Sequence, residues 1–427
     1  MQASSRLLKR LTHMLNFQNQ EKTQPLWEYV SASDYRLPVA SVTHDLKTKL
    51  IAIKRVLWRG DSEPKRHFHA KEELQALPQC QLENVAPAPK WDELATAMDV
   101  KLADWLAWEK PDNPVIAMVG APYGGHADIL TTWANRHKWT ILTPPSSEQI
   151  LAGNTDWLSG QLDGGGPWIF PALERAYLRH AEGLSLARDF LTRAFHGDLG
   201  RGIIGCDSWA WAYLRHVWRG REPIALTFQA FDKDRLARRF QKLADSSGNG
   251  AFVFYQSDDG RHVLPPLDGG EDSDQTSDFM ELLAVHSRGL FGVAQLIWRD
   301  SLRTEPDGRM AEIKEKEIKE KEIKKLTIPD QTLWVVPWKQ IAFPELPFGA
   351  GYEEAFVLHS LLLHNGLPLE SLKKTLPLSS DQVMETLSRL EGNRLLIREN
   401  AIWKVAAQGY PAVRQFLLDQ GYLTDQF

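Results

Sequence analysis

Short apolar runs alternate with segments of helical period through the middle of the chain. Val115–Val119 is continuously apolar and predicts a buried strand. Asp128–His137 has helical spacing, Thr140–Leu142 predicts a second strand, and Pro167–Phe170 a third. A long helical pattern reads from Ala172 to His180. Ile203 and Ile204 mark a fourth strand and Ile224–Phe228 a fifth. Strands alternating with helices predict an α/β fold built on a parallel sheet. After Phe231, either Asp232 or Asp234 suits the cap of a further helix. Asp258–Ser277 is rich in Gly, Asp and Ser and predicts a loop. A helical bundle is expected over Phe279–Leu302.

The flanks read differently. Arg6–Phe17 predicts a basic amphipathic helix, and Tyr35–Trp58 an apolar one. Glu312–Lys325 repeats Glu-Ile-Lys-Glu-Lys, with opposite charges at i, i+4, and predicts a solvated helical linker. Near the C-terminus, Glu353–His364 and Leu369–Leu376 predict helices. A third starts after Ser379 or Ser380 and carries Val383, Met384, Leu387 and Leu390. Arg394–Arg398 and Ala401–Val405 predict a hairpin, and Pro411–Leu418 a last helix. The expected division is a mostly helical region over 1–108, an α/β core over 109–230 and a helical lid over 231–308. A charged linker over 309–330 and a C-terminal domain over 331–427 complete it.

Composition changes little in this picture. The chain has 427 residues and a formal charge of −5, which argues against a wholly nucleic-acid-binding surface. No apolar run reaches the ~18 residues of a membrane span. The two cysteines, Cys80 and Cys206, lack metal-ligand spacing, and a reducing cytoplasm is the simplest expectation. Cys206 reads as a small buried residue. His67 and His69 are close, but no further ligand type joins them, so no metal site is expected.

The most informative segment is Gly120-Ala121-Pro122-Tyr123-Gly124-Gly125-His126-Ala127. It follows the first strand and opens a helix. Its glycines match the Walker A loop, Gly-x-x-x-x-Gly-Lys-Ser/Thr. Such a loop aims backbone N–H groups and a helix N-terminus at phosphates. Gly120, Gly124, Gly125, His126 and Ala127 are therefore the candidate nucleotide contacts. However, His126 stands where the phosphate lysine belongs, and Ala127 where a hydroxyl would hold Mg²⁺. Phosphoryl transfer depends on positioning and charge stabilisation, and these two side chains supply little of either.

Taken with the order of elements, residues 110–305 resemble the AAA+ and STAND classes of P-loop ATPase. That resemblance places Pro167–Phe170 at the Walker B strand. Acidic residues should follow directly, yet Pro171, Ala172 and Leu173 precede Glu174, the one candidate catalytic residue. It places Ile203–Ser208 at the strand whose polar end senses the γ-phosphate. It sets Arg288, in Ser287-Arg288-Gly289-Leu290, at a lid junction facing the nucleotide. The C-terminal segment resembles a winged helix, which is usual after such a lid.

These features point to a degenerate ATPase acting as a regulatory or assembly module. It would bind ATP or ADP weakly or not at all, and Mg²⁺ is not expected to be held by the loop. Protein partners are expected, and a homo-oligomer stays open because relatives often form rings. DNA binding through Arg389, Arg394, Arg398 and Lys404 is the alternative. Charge disfavours it, with seven basic residues against nine acidic ones from Gly351 to Phe427. An active ATPase using Glu174, with Arg288 replacing the lysine, is the third reading. The helical stretch read around Arg175, Arg179, Arg188 and Arg193 could also carry an arginine finger, though a solvated face is the plainer reading.

Overall fold

The structure is a computed structural model. It describes residues 25–39, 74–109, 111–220, 223–246, 252–264, 276–305 and 332–427. The helices expected at Arg6–Phe17 and Glu312–Lys325, the His67–His69 pair and most of Tyr35–Trp58 lie outside those residues. The described part of that last segment, 35–39, is irregular rather than helical.

Strands β1 (Tyr29–Ser31), β3 (Val115–Gly120), β4 (Thr140–Ile141), β5 (Trp168–Phe170), β6 (Gly202–Asp207) and β7 (Ile224–Phe228) form one sheet. Their order is β1-β7-β3-β6-β5-β4. All pairings among β3 to β7 are parallel, with Val115 opposite Gly202 and Ile116 opposite Ile224. The edge strand β1 runs antiparallel to β7 and was not foreseen. The five core strands therefore match the mixed α/β, parallel-sheet expectation.

Alternation along β3 explains the layering. Val115, Ala117 and Val119 face one apolar cluster, and Ile116 and Met118 the other. The first cluster is closed by α5 (Ser185–His196) and α6 (Ser208–Val217), through Phe190, Leu191 and Trp211. The second is closed by α2 (Trp91–Ala107) and α3 (His126–His137), through Met98, Leu102 and Trp133. Each such side chain contributes roughly 1.5–3 kcal/mol when fully buried. Helix α2 lies in the stretch that gave no clear sequence pattern; α1 (Gln79–Val85) precedes it, and the short α4 (Ser147–Leu151) follows β4.

Gly205 on β6 sets how closely α3 approaches the sheet. A Cβ there would lie 2.2 Å from the Pro171 carbonyl oxygen and 2.4 Å from Leu130 of α3.

Two expectations fail here. Ala172–His180 is not a helix: Leu173–Arg175 make one 3₁₀ turn, and the chain then folds back, with Leu178 N donating to Gly183 O at 3.0 Å. Its apolar residues are buried because the segment runs between the core and the C-terminal unit. Tyr177 there donates to Leu363 O at 2.7 Å. Consequently the four arginines do not share a helical stretch, since only Arg188 and Arg193 lie on α5.

The segment after β7 is also not purely helical. Asp232 caps α7 (Lys233–Asp245), accepting from Arg235 N at 2.8 Å. Helices α8 (Phe279–His286) and α9 (Phe291–Ser301) follow. A second sheet packs with them, ordered β2 (Gln75–Ala76), β9 (Leu302–Thr304), β10 (Thr332–Val335) and β8 (Val253–Gln256). Its strands come from four distant segments, so local pattern carries little trace of it.

The C-terminal unit contains α10 (Tyr352–Leu363), β11 (Leu367–Pro368), α11 (Leu369–Thr375), α12 (Ser380–Gly392), a hairpin of β12 (Leu396–Glu399) and β13 (Ile402–Val405), and α13 (Tyr410–Asp419). Strand β11 joins the hairpin through β13. Ser379 and Gln382 form a reciprocal cap on α12. One apolar cluster runs from Phe240, Phe254 and Trp298 into Leu361, Leu387 and Val413, so this unit shares a core with α7, α9 and β8. Among the described residues, no helix is long and apolar enough to cross a membrane.

Gly205→Ala should lower the unfolding free energy by about 1–3 kcal/mol, as overpacking does. Gly164→Ala, which meets nothing within 4 Å, should stay within about 0.5 kcal/mol. Urea denaturation of both variants checks this, and equal losses would contradict it.

Candidate functional site

The site begins where β3 ends. The loop from Ala121 to Gly125 crosses the carboxyl edge of the parallel sheet. There β3 lies between β6 and β7, although the chain leaves it for β4 at the far edge. Open α/β sheets place ligands at such a reversal of strand order. Gly124 N donates to Ala121 O at 3.0 Å and closes the turn. Gly125 has φ +69°, the left-handed region that favours glycine. The outline is that of a phosphate-binding loop.

Part of its inner side is taken by the chain itself. A Cβ at Gly125 would lie 2.4 Å from the Trp91 indole, and one at Gly120 2.5 Å from the His126 ring. His126 thus folds back over the end of β3. Its Nε2 lies 3.0 Å from Glu174 Oε1. The other Glu174 oxygen accepts from Asp207 N at 3.1 Å. Asp207 caps α6 by accepting from Trp209 N at 2.9 Å. His126, Glu174 and Asp207 are 8%, 1% and 3% exposed, so water screens none of them.

Charge follows from that burial. Burial opposes a charge on His126, but the Glu174 carboxylate outweighs it, and the imidazole pKa is raised. Burial likewise pushes Glu174 up, and the His126 charge and hydrogen bond bring its pKa below the ordinary value. Asp207 is pushed well above the carboxylate range, first by burial and then by Glu174. The shifts of His126 and Glu174 both favour their paired, charged forms, and that of Asp207 favours its protonated form.

The residues present do not fit a magnesium triphosphate. Glu174 has both oxygens engaged, and the ring of His126 occupies the inner side of the loop. Ala127 brings only a methyl group. A cavity of about 50 Å³ does remain, lined by Trp27, Trp91, Phe231, Phe291, Gly120 and Gly124 among others. At roughly 10–15 Å³ per water, it holds a few water molecules.

The structure brings Glu174 to His126 despite the three residues separating it from β5. Arg288 lies at the same edge but is turned to the C-terminal unit, its Nε donating to Phe427 O at 2.9 Å. It therefore does not replace the missing lysine in this conformation. The four DNA candidates are engaged within the C-terminal half. Arg389 pairs with Glu354, and Arg394 donates to Ala342 O at 3.2 Å. Arg398 stacks over Trp403 at 5.6 Å, and Lys404 pairs with Glu399 at 3.0 Å. Sequence reasoning missed Trp91, Tyr123 and Asp425. Tyr123, at φ +60°, donates from the loop to Val405 O at 2.9 Å. Nothing local to these residues signals such distant partners.

The two pKa directions of the ion pair define a window. A raised histidine pKa adds stability below the ordinary histidine range, lost as pH rises through the raised value. A lowered glutamate pKa adds stability above the ordinary carboxylate range, lost as pH falls through the lowered value. Asp207 acts oppositely, because the fold favours its protonated form, and ionisation costs stability as pH rises. Asp207→Asn keeps the capping oxygen and should gain on the wild type in thermal stability between pH 4 and 8. A constant difference across that range would contradict the assignment. Glu174→Ala strands the buried imidazole and should cost about 3–5 kcal/mol in urea unfolding at pH 7.

Comparison with known proteins adds little. No family model matches the sequence, and no curated protein matches it. Among solved structures, the chain is similar to a Walker-type ATPase of Pyrococcus abyssi, at 12% identity and a TM-score of 0.28. The match covers 77% of this chain and 96% of that one. Both values are low, and the functional reading below stands on the geometry of the site.

Proposed function

We propose that this chain is a P-loop ATPase-like protein that does not hydrolyse nucleotide and serves as a regulatory or assembly module for protein partners. One observation carries the reading: where the glycine loop would hold its lysine, His126 is buried and paired with Glu174. A lysine there would leave its charge for phosphate oxygens. Here the cation and Glu174, the acid that could activate water, neutralise each other. The loop is held as well, by Trp91 beneath Gly125 and by Tyr123 bonded to β13.

The C-terminal unit is read as a winged helix. Support comes from its order of helix, strand, two helices and hairpin, with the early strand joined to the hairpin. Its role is protein contact. The exposed residues of α12 include Asp381, Met384, Glu385 and Glu391, and Arg389 is paired. DNA affinity needs cations free to displace counterions, and this face offers few.

Saturating Mg-ATP should shift the unfolding free energy by far less than the ~2.7 kcal/mol expected of a ligand at 100 times its dissociation constant. ATP turnover should equal that of a blank. Several turnovers per minute, lost on changing Gly120–Ala127, would overturn the reading. Retention of the full chain on duplex DNA at low salt, lost in an Arg394→Glu, Arg398→Glu variant, would favour the DNA alternative instead.

A further inference from the structure

Residues 425–427 occupy a cleft between the core and the C-terminal unit. Helix α13 ends at Asp419, and the chain then runs irregularly from Gln420 to Phe427. Within this tail, Asp425 and Phe427 are buried while Gln426 between them is exposed. That alternation is how an extended peptide reads a surface, with side chains on one side entering pockets.

Each buried residue meets a built receptor. The Asp425 side chain is fully buried, and Oδ2 accepts from Ser208 Oγ at 2.6 Å. Its Oδ1 accepts from Arg414 Nε at 3.2 Å, and Arg414 also donates to the Asp425 main-chain oxygen at 2.9 Å. Tyr410, oriented by Trp209, places its hydroxyl 3.5 Å from the same carboxylate. The Phe427 ring packs edge-on to Tyr35 at 4.5 Å and joins the cluster containing Val119 and Cys206. Arg288 holds the Phe427 main-chain oxygen. Two cations, two hydroxyls and an apolar socket thus converge on one short segment.

We infer that the cleft between Tyr35, Ser208, Arg288, Tyr410 and Arg414 is a peptide-binding site for a segment of the form acidic–any–aromatic, filled here by Asp425–Phe427 of the same chain. Its receptor groups come from the N-terminal region, the sheet edge, the lid junction and the C-terminal unit. Occupancy therefore ties those parts together. A segment of the same chemistry from a partner protein would compete with the tail, and the tail's high effective concentration would oppose it.

The test uses a fluorescent, amidated peptide of residues 421–427 and the full chain carrying Asp425→Ala and Phe427→Ala. The peptide should bind this variant, and bind wild type at least tenfold more weakly. A peptide carrying Asp425→Ala should lose at least tenfold. A folded variant that does not bind, or that binds both peptides equally, overturns the proposal. If the double variant does not fold, amide hydrogen exchange of residues 423–427 is compared between wild type and Arg288→Ala. The proposal predicts at least tenfold faster exchange in the variant, and unchanged protection overturns it. Neither readout involves nucleotide, so failure here is distinct from failure of the ATPase-like reading.

Discussion

The ion pair of His126 and Glu174 is the constraint around which this site is arranged. Two ionisable side chains less than a tenth exposed are tolerable only together, because either alone is a stranded charge. Their pairing fixes the end of β3 and the 3₁₀ turn after β5 relative to one another. It also fills the inner side of the glycine loop. Burial, and then the Glu174 carboxylate beside it, push the Asp207 pKa well above the ordinary carboxylate range. His126, at the start of α3, is thereby coupled to groups at the ends of three strands.

The C-terminal unit reinforces the same edge. His364 lies 3.5 Å from the Glu174 carbonyl oxygen, and Arg179 is 3.0 Å from His359. Burial, joined by the nearby Arg179 charge, lowers both histidine pKa values to about 4. Both are neutral near pH 7, so this junction does not loosen by histidine protonation in that range. Tyr123, Tyr177 and Arg288 each bond to main-chain oxygens of the C-terminal half. The core and the C-terminal unit share a boundary of buried polar contacts.

Much of the core was legible because its strands are short apolar runs, with β3 and β6 buried throughout. Val115–Val119, Ile203–Ile204 and Ile224–Phe228 each fall within observed strands, and of the two serines that suited the cap of α12 it is Ser379 that takes it. The glycine loop was legible for the same local reason. What was not legible depends on distant partners. Ala172–His180 imitates a helix because its apolar residues serve a domain junction. Helix α2 and strand β1 gain their meaning only against α3 and β7. The second sheet is assembled from segments as far apart as Gln75 and Val335. Glu174 was a weak candidate by spacing, and only the fold-back after β5 makes it the partner of His126.

The most direct measurement is an NMR titration of the His126 imidazole in the full chain, with and without Mg-ATP. Ring resonances that show protonation persisting above the ordinary histidine range near 6.5, unchanged by nucleotide, are the predicted result. An imidazole that loses its proton at or below that range, or whose resonances move when Mg-ATP is added, would contradict the occupied-loop account.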